Sequence, residues 1–121
     1  MKQINIRRID IIGYRTEQLY GEGYRGLFEV LNHEVFELGN TDILSYLNLS
    51  EGHIQDFCHF LMQDGYNNCI WLCKTERDLI NSYLLEETDY IIDEYEIIDG
   101  IILSDLGEQG VLVAYRNITK R

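Results

Sequence analysis

Three histidines and three cysteines are the side chains best able to bind a metal or act as nucleophiles: His33, His53, His59, Cys58, Cys69 and Cys73. Their spacing suits neither role. Cys69 and Cys73 stand four apart on an expected strand, unlike the Cys-x2-Cys knuckle that closes around zinc. His53 and His59 are six apart on an expected helix, so they diverge by roughly 120° around its axis. No metal is expected. The chain has no Gly-x-Ser-x-Gly elbow, Walker loop or dinucleotide-binding fingerprint. Gly21-Glu22-Gly23 with Gly26 imitates a phosphate loop, but it lacks the lysine and the strand-to-helix position of one.

Three other segments follow one another in an order that has a counterpart. Gly13-Tyr14-Arg15-Thr16 ends an expected first strand. Ile70-Trp71-Leu72-Cys73-Lys74-Thr75 runs into a helix that ends at Ser82-Tyr83. The stretch from Asp99 to Gly110, with Asp105 and Glu108, precedes a further strand. Over about half the chain this resembles the small ADP-ribosyltransferase families, including the single-domain versions that phages encode as anti-CRISPR proteins. The resemblance implies NAD as cofactor, with Arg15 holding a ribose or phosphate and Thr16 beside it. It places Thr75 near the ribose and either Trp71 or Tyr83 against the nicotinamide. Asp105 or Glu108 would be the catalytic acid that steadies an oxocarbenium-like ribose. The implied activity is mono-ADP-ribosylation of a protein partner, as an inhibitor of host defence. Trp71-Leu72-Cys73 departs from the Ser-Thr-Ser type of middle strand, and Glu108-Gln109-Gly110 carries one acid where two are usual.

Charge suggests an alternative. The net charge is −11, and no Lys or Arg occurs between Arg77 and Arg116. That gap includes Glu86, Glu87, Asp93, Glu94, Glu96 and Asp99, which would form a carboxylate ridge imitating DNA phosphates. Such a ridge would make the protein a non-catalytic inhibitor of a basic, nucleic-acid-handling partner. On a strand, Glu94 and Glu96 share one face, opposite Asp93 and Tyr95. Direct nucleic-acid binding is not expected, because that affinity comes from Lys and Arg displacing counterions.

These residues must be positioned by a chain of 121 residues, 45% of them hydrophobic, enough to enclose the core of a single domain spanning 1–121. No apolar run approaches the length of a bilayer span, no signal-peptide segment opens the chain, and an odd cysteine count argues for reduced thiols. A cytoplasmic protein is expected, with no membrane partner. The fold expected is α+β, a mixed or mainly antiparallel sheet with two or three helices and a C-terminal hairpin or meander. A first strand spans residues 3–14 and ends near Gly13, and the glycines after it mark a loop. Residues 27–31 and 34–38 read as short strands. Thr41 and Ser50 are expected to cap two helices, the second burying Ile54, Phe57, Cys58, Leu61 and Met62 and ending at Gly65. Residues 69–73 read as a buried strand, and Thr75 to Asp78 as a capping box before a helix. Asp99-Gly100 reads as a two-residue hairpin turn between strands 90–98 and 101–103. A turn at 106–110 leads to a strand at 111–115.

Overall fold

The computed structural model describes residues 4, 6–17, 25–83 and 90–121. Among them, six strands form one antiparallel sheet: β1 (Arg8–Arg15), β2 (Arg25–Gly26), β3 (Asn68–Leu72), β4 (Asp93–Asp105), β5 (Val111–Tyr115) and β6 (Asn117–Lys120). Four α-helices among the described residues accompany it: α1 (Leu27–Asn32), α2 (Asp42–Leu47), α3 (Ile54–Gln63) and α4 (Glu76–Tyr83). The α+β class and the antiparallel sheet are as expected, and the described helices number four against the two or three expected.

The strand order is β1-β4-β5-β3-β2, and β6 pairs with the first half of β4. The sheet also turns back on itself. Tyr14, near the end of β1, exchanges both backbone hydrogen bonds with Cys73, just past β3, at 2.8 and 2.9 Å. β1 thus touches both β4 and the end of β3, and the sheet closes into a small barrel. Inside it pack Ile70, Leu72, Tyr95, Ile97, Ile102, Val111 and Val113. The opposite face of β3, β4 and β5 carries Cys69, Ile101, Leu103, Leu112 and Ala114, and α1 to α3 cover it with residues such as Leu27, Leu31, Ile43 and Phe57. Each large aliphatic side chain buried this way contributes about 1.5–3 kcal/mol.

Asp99-Gly100 is not a turn. β4 runs through it without interruption from Asp93 to Asp105. Between Ile9 and Ile11, β1 advances two residues while β4 advances three, from Gly100 to Ile97. The extra residue is a β-bulge, and Asp99 adopts φ 55° within it. The bulge inverts the facing of side chains: Tyr95 and Ile97 point into the barrel, whereas Ile101 and Leu103 point toward the helices. The Asp99 amide donates to Asp10 Oδ1 at 2.8 Å, which satisfies the group the bulge takes from the ladder. A Cβ on Gly100 would lie 2.7 Å from Ile97 and 2.8 Å from Val113, so the bend admits no side chain there. The signal that favours a tight turn, a residue tolerant of positive φ followed by glycine, serves equally well in a bulge.

Residues 27–38 are helical, not two short strands. α1 continues directly into a π-helical turn over His33–Glu37. Leu27, Val30, Leu31 and Val35 are the buried positions, and their spacing of three and four is that of a helix face. Thr41 does not cap α2; Asn40 Oδ1 accepts the Asp42 amide instead, at 3.0 Å. A 3₁₀ turn over Glu51–His53 precedes α3, and the Ser50 hydroxyl meets His53 Nδ1 at 2.5 Å rather than capping the helix. In α3 the expected face is buried except for Met62, which is 41% exposed. Thr75 does cap α4, its Oγ1 accepting the Asp78 amide at 3.0 Å. β1 begins at Arg8 and continues past Gly13 to Arg15.

Candidate functional site

Where β1 closes onto β3, the outer face of β3 becomes the floor of a groove of about 710 Å³. Alternate residues of β3, Cys69, Trp71 and then Cys73, point toward it. α4 supplies one wall through Leu79 and Ser82, and the turn after β4 supplies another through Glu108 and Gly110. The Ser82 hydroxyl donates to the Glu108 carbonyl oxygen at 2.7 Å, fastening that turn to α4.

Three residues expected to work together line this groove: Arg15, Trp71 and Glu108. Arg15, the last residue of β1, is 8% exposed, and its guanidinium donates to the Trp71 carbonyl oxygen at 3.2 Å. Glu108 is exposed, in a 3₁₀ turn over Gly107–Gln109. The remaining expected residues have other places. Thr16 is buried, and its hydroxyl has no hydrogen-bond partner among the described residues. Thr75 is engaged as the cap of α4. The Tyr83 side chain lies outside what is described. Asp105 accepts from Lys74 Nζ at 2.8 Å and from the Gly107 amide at 2.9 Å. Lys74 holds the Asp105 carboxyl below its ordinary value, with a smaller contribution from the Gly107 amide. Asp105 therefore shapes the turn that presents Glu108.

Two groove residues escaped the sequence reading. Arg25, on the two-residue strand β2, lies opposite Cys69 in register. Tyr14 donates its hydroxyl to Glu94 at 3.1 Å, a bond that raises the phenol above its ordinary value. Arg25 carried one clue, as the last cation before a gap that reaches Lys74. Among the described residues, the charged ones lining the groove are thus Arg15, Arg25 and Glu108, two cations to one acid in a chain of net charge −11. A second groove, of about 1160 Å³, is bounded by Ile4, Ile6, Phe57 and Phe60, and among the described residues neither Lys nor Arg lines it.

The acidic edge is partly neutralised, each of its three cations being shared between two carboxylates. Asp93 pairs with Lys120 at 3.5 Å, Glu94 and Glu96 pair with Arg121 at 3.2 and 3.0 Å, and Asp99 pairs with Arg116. Glu86 and Glu87 lie outside the described residues. The three thiols are free and buried; burial pushes Cys58 up to about 11 and Cys69 up to about 12, and raises Cys73 as well. Among the described residues no group of His, Cys, Asp or Glu has the geometry of a metal site, and no helix is long and apolar enough to cross a membrane. No protein-family model, curated protein or solved structure matches this chain.

Proposed function

We propose that the groove binds NAD and that the protein transfers ADP-ribose to a protein partner. The observation that carries this reading is the convergence of Arg15, Trp71 and Glu108 on one groove from three separate elements. The groove's volume falls within the usual range for small-molecule sites, roughly 300–1,000 Å³, and its lining pairs cations with an aromatic surface, as a dinucleotide requires. Bound there, NAD would supply an ADP-ribosyl group, released as the bond between ribose and nicotinamide breaks. Arg15 would offset phosphate charge at the floor. Trp71 would give a planar surface for a base or nicotinamide ring. Glu108 would set a fixed negative charge where positive charge develops on the sugar, and would orient the attacking group of the partner. Ser82 would hold Glu108 in place through its backbone.

The alternative, an acidic edge that occupies a basic nucleic-acid groove, has less support. Each described carboxylate of that edge already pairs with Arg116, Lys120 or Arg121, which leaves less charge for a partner.

The test is a thermal shift with millimolar NAD, combined with an assay of nicotinamide release and label transfer to basic protein acceptors. A rise in melting temperature is expected, together with a release activity that Glu108→Gln abolishes while NAD binding persists. The absence of both a thermal shift and any nicotinamide release or label transfer would end the proposal.

A further inference from the structure

We infer that Arg15 and Arg25 together form a two-guanidinium site for a diphosphate, and that Glu29 is the internal counter-ion which the diphosphate displaces from Arg25. This deepens the NAD reading and rests on it for the location of the ligand. The two arginines come from different strands but are aligned against the same one. Arg25 lies opposite Cys69 in the β2–β3 ladder, and the Arg15 guanidinium sits on the Trp71 carbonyl. Cys69 and Trp71 are two residues apart on β3, about 7 Å along the strand. The Arg15 guanidinium, on the Trp71 carbonyl, thus lies about 7 Å along β3 from the position opposite Cys69 where Arg25 is rooted, and both residues line the groove, so the Arg25 side chain can reach the second phosphoryl group of a diphosphate held at Arg15. Arginine suits the task better than lysine, because its planar fork contacts two phosphate oxygens at once.

Among the described residues, the ion pair that engages Arg25 is a weak one. Its ion pair with Glu29 measures 3.5 Å, one helical turn along the chain, with side-chain exposures of 47% and 71%. An exposed pair of this kind is worth roughly 0–1 kcal/mol. A phosphate bound by a guanidinium in a groove gives the stronger contact, so exchange of Glu29 for phosphate is favourable. The exchange also brings selectivity. A ligand without phosphate leaves Arg25 on Glu29, whereas a diphosphate releases the glutamate to solvent. Arg15, with 8% exposure at the floor, is the fixed member of the pair, and Arg25, at the rim, is the adjustable one.

Trp71 is the sole tryptophan and lines the groove, so its fluorescence reports occupancy directly. The experiment titrates the intact chain with NAD, ADP-ribose, inorganic pyrophosphate and nicotinamide riboside. ADP-ribose and pyrophosphate should change Trp71 emission. Arg25→Gln should weaken each of them about tenfold, the loss of one charged hydrogen-bonding contact. Arg25→Lys should weaken them less, Glu29→Gln should tighten them about threefold, and nicotinamide riboside should respond to none of these changes. Both positions are exposed, so unchanged melting temperatures will show that the variants fold. If ADP-ribose binds Arg25→Gln and wild type within twofold, or if Glu29→Gln weakens it, the diphosphate site is overturned. NAD binding that ignores Arg25 would leave the transferase proposal standing alone. Arg25-dependent pyrophosphate binding without any response to NAD would sustain the anion site and remove the transferase. Silence toward all four ligands would overturn both.

Discussion

The hydroxyl of Tyr66 donates to the main-chain carbonyl of Asp99 at 2.7 Å, so a residue from the segment after α3 braces the bend in β4. The Tyr66 ring is fully buried, with the Arg116 guanidinium 4.7 Å from its centroid and that of Arg8 at 5.9 Å. Tyr66→Phe keeps the ring and both cation contacts but leaves the Asp99 carbonyl without its hydroxyl donor. Urea denaturation should show a loss of about 1 kcal/mol. Tyr66→Leu also removes the ring contacts and should cost distinctly more. Equal losses for the two variants would mean that the hydroxyl alone matters.

The barrel closes at Gly13. A Cβ there would stand 2.6 Å from the Cβ of Leu72, nearer than side chains approach one another. Gly13→Ala should therefore destabilise the fold by roughly 1–3 kcal/mol through overpacking. In the double variant Gly13→Ala/Leu72→Ala the two losses should fall short of additivity, since the smaller residue makes room for the added methyl. Additive losses would show that the two positions are independent.

Asp105 ties pH to stability through Lys74. Its folded-state carboxyl lies below the ordinary 3.8, so its contribution is complete above that value. The contribution is lost as pH falls below 3.8 through the lower folded value. Both side chains are substantially exposed, 45% for Lys74 and 32% for Asp105, which limits the pair to roughly 0.2–1 kcal/mol. Lys74→Met should lower the urea midpoint at pH 7, and the gap from wild type should begin to narrow only once pH falls below 3.8. A gap that persists or widens in acid would contradict the assignment.

The thiols give a test of packing. With Cys58 and Cys69 pushed up to about 11 and about 12, little thiolate exists at pH 8 in the folded protein. A disulfide reagent such as dithionitrobenzoate should label the native chain slowly and release three equivalents promptly in urea. Fast labelling of the native protein would mean that these side chains are not enclosed.

What the sequence made legible follows the range of the interactions involved. α3 and α4 were readable because Ile54, Phe57, Cys58 and Leu61 repeat at helical spacing and Thr75 caps locally. Residues 27–38 misled because dense apolar residues hid the spacing of Leu27, Val30, Leu31 and Val35. Asp99-Gly100 misled because positive φ marks both turns and bulges. In the site, Arg15, Trp71 and Glu108 each belong to a segment with a recognisable order, and the structure brings these three to one groove. Arg25 was not, because only the β2–β3 pairing brings it beside Cys69. Closure through Tyr14 and Cys73 likewise leaves no local trace.

The match between β1 and β4 has a consequence for synthesis on the ribosome. Tyr14 is paired with Glu94, 80 residues further along. While translation proceeds, the first strand waits for β4 to emerge, and the arginine that ends it has no finished cavity to enter. Such distant pairing slows folding and prolongs the interval in which an unpaired strand edge is open to aggregation or to chaperones. Whatever the groove binds, it becomes available only late in the life of the nascent chain.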